Sequence, residues 1–343
     1  MMKITTPVDL HIHTNASDGF VEPIEVLTRL KNAGIMTFSV TDHDSVAALD
    51  ALNRRSSLYQ MRLINGVELS AEYQHQDVHF LGYFINHHNK RFLDYLYLFR
   101  RRRHQRAQEM VAKLGKLGVK ISMNYVESLA RNKPIGRPHI ADALVNAGAV
   151  GSRDEAFEKY LRDDGPVYLE KYRISAKEVI DLIHSIGGGA FLAHPGLSLS
   201  SDEPVKTLVE MGLDGIEVIH PRHTPEQVKH YTSLASKLKM KISGGSDFHG
   251  DPRGDDVLGK YIIDIATLSE IEHYCDENRE RWLAEHILDE AEGEEIIEDD
   301  LDDTAEEPDE EDETVVEAKK IVGEDDLDDD EVEKLDDDEE DDF

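Results

Sequence analysis

Apolar residues follow two different patterns along the first 250 positions. Short apolar runs are typical of buried β-strands, and longer stretches with apolar residues three or four apart predict amphipathic helices. The predicted strands are 7–12, 36–41, 62–67, 77–84, 190–193, 215–219 and 241–244. The predicted helices are 22–33, 45–58, 175–187, 203–212, 225–239 and 267–287. This alternation predicts parallel strands with helical crossovers, in an α/β barrel or an open sheet.

The alternation breaks between about 88 and 172, where the pattern is mostly helical. The predicted helices there are 90–117, 123–130, 138–147 and 153–162. We therefore predict a barrel in two parts, 1–88 and 173–288, with a helical insertion at 89–172. A basic run, RRRRHQR, occupies 100–106. By itself it indicates a solvated helix face, whereas above a catalytic face it would hold a nucleic-acid backbone electrostatically.

Most of the formal net charge of −34 lies in the C-terminal segment 289–343, which consists mainly of Asp and Glu with three Lys. The segment has few large apolar residues and no periodic pattern, so we expect it to be disordered. It would aid solubility or compete with substrate for the basic run, and we favour solubility. The rest of the chain is only mildly acidic, as in an ordinary globular protein.

The compartment is predicted from what the chain lacks. A single cysteine, Cys275, leaves no intrachain disulfide, which fits a reducing cytosol. No apolar signal core stands at the N-terminus, and no stretch approaches the roughly 20 apolar residues that span a bilayer. We therefore expect a cytoplasmic protein without a membrane partner. The oligomeric state is not indicated.

Candidate chemistry begins at the first predicted strand. His11 and His13 are two residues apart, so on a strand they project from the same face, while Leu10 and Ile12 pack the other way. Two adjacent imidazoles suit a divalent metal. Asp18 follows in a loop from which its carboxylate can reach the same place.

Metal-ligand residue types recur at the other predicted strands. They are His43, Glu68, His79, His194, Asp247 and His249. In a barrel of parallel strands the carboxyl ends meet at one face, and that face carries the active site. A lone histidine is more often a packed core residue, but packing does not explain the whole set. We therefore predict one metal centre at this face.

Several motifs resemble those of the PHP (polymerase and histidinol phosphatase) superfamily. They are DLHIHTNASDG, TDHD, GVE, HFLGY, AHP and SDFH, spread over about 7–250. The insertion, GRPHIA at 136–141 and EVIHPRHT at 217–224 are similar to the bacterial nucleotide phosphoesterase branch. That branch includes 3′,5′-bisphosphate nucleotidases and a 5′→3′ exoribonuclease. The resemblance implies a distorted (β/α)7 barrel.

The resemblance also implies up to three metal ions. The implied first set is His11, His13, Glu68 and Asp247. Glu68 would bridge to a second ion completed by His79 and His194, and the implied third set is Asp18, His43 and His249. Mixed imidazole and carboxylate ligation suits Mn²⁺, with Zn²⁺ or Fe²⁺ as alternatives.

Such ions lower the pKa of bound water and neutralise phosphoryl charge, so we expect a metal-activated hydroxide as nucleophile. No GxSxG elbow is present, and nothing in the sequence indicates an activated side-chain nucleophile. Asp42 precedes His43. Three roles stay open for Asp42, which are orienting a metal ligand, assisting proton transfer, or capping the helix that follows.

Arg137 and His139 are the first candidates for substrate contacts. A guanidinium fork matches phosphate oxygens, and Pro138 at a helix start leaves free N–H groups for an anion. The alternative is a helix-capping segment with a solvated Arg137. Arg222 and His223 are second candidates, and Lys171 is a weaker one.

The leading hypothesis is a phosphoesterase that hydrolyses 3′,5′-bisphosphonucleosides, 5′-phosphorylated RNA in the 5′→3′ direction, or both. Two alternatives remain, a monoesterase similar to histidinol phosphatase and a non-catalytic metal-binding interaction protein. The predicted partner is a nucleotide or an RNA 5′ end. No standard nucleic-acid-binding module is evident, so we expect no DNA sequence readout.

Overall fold

The computed structural model describes residues 6–130, 135–170, 172–251 and 257–290. All of them belong to one compact unit that spans Met1–Ala291. The predicted disordered segment 289–343 lies outside the described residues except for 289–290, which end a helix. Among the described helices, none is long and apolar enough to cross a lipid bilayer.

One eight-stranded sheet forms the centre of the described chain. Its strands are β1 (Pro7–Asp9), β2 (Thr37–Val40), β3 (Arg62–Tyr73), β4 (Gln76–Tyr83), β5 (Gly189–Leu192), β6 (Gly215–Ile219), β7 (Lys241–Gly244) and β8 (Ile263–Asp264). They lie in the order β7-β6-β5-β4-β3-β2-β1-β8. The sequence pattern predicted the first seven strands. The two-residue β8, which pairs antiparallel with β1, is too short to have a detectable period.

The two edges of the sheet meet beyond the ends of β1 and β7. The amide of Leu10 donates to the carbonyl of Gly244 at 3.2 Å, and the amide of His13 donates to that of Phe248 at 2.8 Å. A parallel bridge joins Ile12 and Phe248. The sheet is therefore a nearly closed barrel, which confirms the predicted fold class.

Strand β4 corrects the prediction of an all-parallel barrel. It runs antiparallel to both β3 and β5. Gln74 and His75 form a two-residue turn with positive φ angles of 50° and 63°, as in the hairpin turns that match strand twist. Since such a turn needs no helical crossover, β3 continues to Tyr73 instead of ending at 67. His79, near the start of β4, thereby reaches the barrel end where β3 and β5 place their ligands.

Helices surround the barrel. They are α1 (Pro23–Asn32), α2 (Leu49–Ser56), α7 (Ala176–Ser185), α8 (Pro195–Ser198), α9 (Glu203–Glu210), α10 (Pro225–Leu238) and α11 (Ile265–Glu290). Leu27 and Leu30 of α1 are fully buried against the sheet, and each such side chain stabilises the fold by about 1.5–3 kcal/mol. The predicted capping box of α7 is present, with Ser175 and Glu178 each accepting from the other's amide. The predicted helix 45–58 begins later, at Leu49, and its last turn tightens at Ser57–Tyr59.

The stretch predicted as an insertion is helical. It contains α3 (Lys90–Lys116), α4 (Met123–Ala130), α5 (Arg137–Asn146) and α6 (Arg153–Ala156), followed by one wide turn at Phe157–Leu161. These helices share a hydrophobic cluster separate from the barrel core, with fully buried Met110, Leu114, Val126, Ile140 and Leu144. The domain boundaries themselves stay a prediction.

Candidate metal centre

Glu68 lies at the middle of a group of histidines. Its carboxylate is fully buried on β3. Its Oε2 lies 3.2 Å from a ring nitrogen of each of three histidines, which are His11, His13 and His43. Its Oε1 lies 3.0 Å from ring nitrogens of His79 and His194. The two oxygens therefore face two different sets of imidazoles.

Two aspartates and one more histidine complete the group. Asp247 Oδ1 lies 3.2 Å from His13 Nε2 and 3.4 Å from His11 Nε2. Asp18 Oδ1 lies 3.1 Å from His249 Nε2 and 3.7 Å from His13 Nδ1. All nine residues predicted as ligands therefore gather at one end of the barrel.

The donor set fits divalent metal ions. Ligand atoms lie within 4.8 Å of one another in each of several groups, which include His13-Asp18-His43-His249, His11-His13-Asp247, His11-Glu68-His194 and His43-Glu68-His79. His13 Nδ1 is buried without a hydrogen-bond partner, and the Nε2 atoms of His11 and His13 approach to 3.0 Å. Nitrogen and carboxylate ligand atoms that converge in this way suit shared cations better than they suit one another.

Burial lowers the pKa of a histidine and nearby carboxylates raise it, and the balance of the two effects differs between His13 and His43. Burial opposes protonation of His13, but hydrogen bonds to Asp247 and Glu68 outweigh it and raise its pKa to about 10. Burial lowers the pKa of His43 to about 4, although Glu68 opposes the effect. Since a ligating imidazole must be deprotonated, a metal ion that binds here displaces a proton from His13.

Glu217 and His220, which the sequence interpretation overlooked, hold three of the ligands in position. Glu217 is fully buried, and its oxygens accept from His11 Nδ1 at 2.9 Å and from the amide of His194 at 2.8 Å. His220 Nε2 lies 3.2 Å from Asp247 Oδ2, and its Nδ1 accepts from the amide of Arg222. Partners of this kind set the tautomer and orientation of metal ligands.

The sequence did contain a signal for both residues. Glu217 is the only charged residue in the apolar strand GIEVI, and His220 directly follows that strand, as the predicted ligands follow theirs.

His194 has φ 30°, a conformation that non-glycine residues rarely adopt. The hydrogen bond that the amide of His194 donates to Glu217 helps to hold His194 in this conformation.

Asp42 fixes the loop that carries Asp18. Its buried carboxylate accepts from the amide and hydroxyl of Thr14, both at 2.7 Å, and from the hydroxyl of Ser17 at 2.5 Å. It does not cap the following helix, whose N-cap residue is Ala48. The contacts favour the orienting role, and a part in proton transfer stays a prediction.

Arg137 and His139 lie in the insertion and not among the barrel ligands. Arg137 Nη1 donates to the carbonyl of Leu161 at 3.0 Å and to Asp163 at 2.5 Å, and its guanidinium lies 5.9 Å from the ring centres of Phe157 and Tyr168. His139 Nδ1 accepts a hydrogen bond from the amide of Gly136, the N-cap residue of α5. This contact agrees with the helix-capping role that was the alternative to substrate binding. The guanidinium is thus held and only partly exposed.

The remaining substrate candidates have different outcomes. His223 is buried, its Nδ1 donates to the carbonyl of Val218 at 3.0 Å, and its Nε2 accepts from the amide of Gly196 at 3.1 Å. The backbone occupies both ring nitrogens, so these hydrogen bonds do not favour a substrate contact by His223, and its role stays a prediction. Arg222 is exposed and its role stays a prediction. Lys171 lies outside the described residues.

The basic run 100–106 is not simply a solvated helix face. Arg101 and Arg102 are exposed on α3. Arg103 lies over the ring of Phe99 and 3.9 Å from Asp44, which follows His43 in the chain. Arg106 donates to the carbonyl of Leu169 at 2.8 Å. Part of the run therefore turns toward the barrel end that carries the metal ligands.

Residues 9–196 match the family model described as the PHP domain. The chain is 33% identical over 248 residues to the 5′-3′ exoribonuclease Rnm of Escherichia coli K12, which covers 70% of this chain and 84% of the relative. It is 29% identical over 257 residues to a 3′,5′-nucleoside bisphosphate phosphatase of Chromobacterium violaceum, covering 74% and 90%. A solved structure from Bifidobacterium adolescentis, assigned as a metal-dependent phosphoesterase, has a TM-score of 0.65 at 31% identity and covers 77% of this chain and 94% of that one.

These similarities agree with the barrel and with the clustered histidines and carboxylates. The family model matches more than half of the chain, and the E. coli relative is aligned over most of its own length. The chain therefore belongs to the PHP domain family.

Proposed function

We infer that the protein is a metal-dependent phosphoesterase that acts on nucleotides, either 3′,5′-bisphosphonucleosides or 5′-phosphorylated RNA. One observation carries this proposal, namely the buried Glu68 carboxylate with five imidazoles divided between its two oxygens. A carboxylate in this arrangement can bridge two metal ions. Multi-metal sites of this kind are typical of phosphate ester hydrolysis.

Three ion positions are proposed, with Mn²⁺ as the first choice. The proposed sets are His11, His13, Glu68 and Asp247, then Glu68, His79 and His194, then Asp18, His43 and His249. Divalent ions bound there supply positive charge for the phosphoryl oxygens and lower the pKa of bound water. The chain's own residues orient the ligands, because Glu217 holds His11 and Asp42 holds the loop before Asp18.

Arg137 is the proposed substrate contact outside the barrel. The carbonyl of Leu161, the carboxylate of Asp163 and two aromatic rings hold its guanidinium in one place. A planar, fixed guanidinium binds phosphate oxygens with little loss of side-chain freedom. The names of the E. coli and C. violaceum relatives support a nucleotide or RNA substrate.

The test is a substrate panel with the purified full chain and Mn²⁺. It compares 3′,5′-bisphosphonucleosides, 5′-phosphorylated RNA of increasing length, and histidinol phosphate. We expect phosphate from the first class or 5′-mononucleotides from the second. Release of neither would refute the proposal, and hydrolysis of histidinol phosphate alone would favour the monoesterase alternative.

A variant distinguishes catalysis from mere metal binding. Asp247→Ala removes a carboxylate that contacts His11, His13 and His220, so activity should be lost. The matched control is Asp181→Ala, which removes an exposed carboxylate paired with Lys177 on α7. Unchanged activity in Asp247→Ala would support the non-catalytic interaction protein instead.

A further inference from the structure

Four arginines line a cavity of 260 Å³ between the insertion and the β3–β4 hairpin. They are Arg103, Arg106, Arg137 and Arg173. Two carboxylates, Asp77 and Asp163, also line it. Glu72 also pairs with Arg173, and Asp44 lies 3.9 Å from Arg103, so the cavity suits an anion only through the guanidinium groups that these carboxylates leave uncompensated. We call it the arginine pocket.

The arginine pocket borders the metal centre. Asp77, on its wall, stands two residues before His79 on β4, so both project from the same face and lie about 7 Å apart along the strand. Arg103 Nη1 lies 3.9 Å from Asp44, the residue after His43. An anion in the pocket would therefore lie beside a phosphate at the metal centre.

Arg173 and Arg106 have too few hydrogen-bond acceptors and negative charges around their guanidinium groups. Arg173 Nη1 pairs with Glu72, but its Nε is buried without a hydrogen-bond partner. Burial and the positive charges of Arg137 and Arg103 lower the pKa of Arg106. An anion would relieve both conditions, because guanidinium–phosphate hydrogen bonds are charge-assisted.

A second cavity continues from the arginine pocket. This groove of 590 Å³ shares Arg106 and Arg173 with the pocket, and Arg102 lies farther along it. Three glutamates balance these charges, and they are Glu72, Glu109 and Glu170. Tyr172 is 42% exposed there, with the Arg102 guanidinium 6.0 Å from its ring centre. A charge-balanced groove with an exposed ring suits a stacked base better than a phosphate.

We propose that the arginine pocket binds the phosphate next along the strand from the one at the metal centre, and that a further base stacks on Tyr172. The substrate class is then a single-stranded oligonucleotide, in preference to a small bisphosphonucleoside. The metal centre, the arginine pocket and the groove at Tyr172 lie in this order, which matches a phosphate, the next phosphate and a base along a nucleic acid strand. This inference rests on the proposed phosphoesterase function and specifies its substrate.

Kinetics of the Mn²⁺-loaded chain test the groove. Tyr172→Ala should lower kcat/KM for a 5′-phosphorylated trinucleotide about 5- to 100-fold, mainly through KM, because it removes one base stack. Activity on a 3′,5′-bisphosphonucleoside should not change. Tyr172→Phe keeps the ring and should keep the trinucleotide activity. Tyr125→Ala, on α4 and 40% exposed, is the matched control.

Equal losses on both substrates in Tyr172→Ala, or no loss on either, would overturn the inference while leaving the phosphoesterase proposal intact. A wild-type chain that hydrolyses the bisphosphonucleoside but shows no preference for the trinucleotide would do the same. Hydrolysis of no substrate at all would instead refute the proposed function.

Binding decides the groove independently of catalysis. Fluorescence anisotropy of the EDTA-treated full chain with a labelled, 5′-phosphorylated single-stranded RNA should show binding that Tyr172→Ala weakens by a similar factor. An abasic strand of equal length should bind the wild type as weakly as the RNA binds Tyr172→Ala. Failure of the RNA to bind, or equal affinity for the abasic strand, would reject the inference.

Discussion

The metal-ligand end of the barrel and the arginine pocket of the insertion hold charge in different ways. Glu68 and His11 are fully buried, and each contacts several partners of opposite charge or complementary hydrogen bonding. Arg106 and Arg137 are half-buried on helices, held by carbonyl oxygens and aromatic rings. The first arrangement fixes charges before any substrate arrives, whereas the second leaves positive charge available to an incoming anion. Under the proposed function, chemistry and substrate choice are thus separated in the fold.

The same contrast extends to stability. The barrel end buries the carboxylates of Asp9, Glu68 and Glu217, and it keeps His194 and Asp247 at positive φ. Buried charge and rare backbone conformations reduce stability and are typical of functional sites. The insertion has an ordinary hydrophobic cluster of its own. Substitutions at the barrel end should therefore alter catalysis strongly, and those in the pocket should alter mainly KM.

The largest effect is expected for Glu68→Gln. A neutral amide offers one oxygen instead of two and cannot bridge metal ions, so several kcal/mol of charge stabilisation should be lost. The corresponding fall in kcat/KM is on the order of 1,000-fold or more. Metal content by mass spectrometry should fall in parallel. Glu25→Gln on the surface of α1 is the control, and a Glu68→Gln enzyme with full metal content and rate would contradict the metal assignment.

Asp9→Asn tests the stability side of the comparison. Burial raises the pKa of Asp9 to about 6, from an ordinary value of 3.8. The folded protein therefore holds this proton more tightly than the unfolded chain does. The resulting contribution to the unfolding free energy is fully present below pH 3.8 and is lost as the pH rises through about 6. In EDTA-treated protein, Asp9→Asn should exceed the wild type by up to about 3 kcal/mol of unfolding free energy at about pH 7.5, and by little at about pH 4.

Urea unfolding at the two pH values measures this difference. Asp9 Oδ2 is buried without a hydrogen-bond partner, so the amide of Asn leaves a similar atom unpaired and the comparison is matched. A difference that does not depend on pH would show that the carboxyl charge is not the cause.

Glu217→Ala should have an intermediate effect. Without this carboxylate, His11 Nδ1 and the amide of His194 lose their acceptor. Loss of such a partner typically costs 10- to 100-fold in metal affinity. Mn²⁺ titration by calorimetry should show this loss, with a smaller one for Glu217→Gln, which keeps one acceptor oxygen. The trinucleotide preference should not change, because Glu217 does not line the pocket, and a changed preference would break the separation of roles.

Arg137→Lys should have the smallest effect. Lysine keeps the charge but loses the fork and the contacts with Phe157 and Tyr168. We expect KM to rise about tenfold with kcat nearly unchanged, as for one weakened charged hydrogen bond. Arg153→Lys, at an exposed pair with Asp142, is the control. A fall in kcat at constant KM would place Arg137 in the chemistry and not in binding.

Much of the candidate site follows from local patterns. The pairs His11/His13 and Asp247/His249 each flank an apolar residue, and His43 and His194 follow short apolar strands. A strand end is a local feature that the apolar pattern reveals, so the convergence of these side chains was predictable once a barrel was predicted. The capping box of α7 was equally local.

Other features depend on contacts between distant segments. Arg103 and Arg106 belong to a run that by itself is compatible with a solvated face, and only the packing of α3 beside Asp44 and Leu169 turns them inward. His223 is a suitable substrate contact by type, but the carbonyl of Val218 and the amide of Gly196 occupy its ring. No local pattern reveals which partner a polar side chain will find.

The sequence by itself determined the nine candidate ligands, the seven main strands and the helical nature of the stretch predicted as an insertion, because residue type and apolar period are local properties. The tertiary structure decided the reversed direction of β4, which brings His79 to the ligand end. It also decided the bonds from Glu217 and His220 to the ligands, and the meeting of Arg137 and Arg173 in one pocket. These depend on closure of the barrel and on docking of the insertion, which bring together residues far apart in the chain.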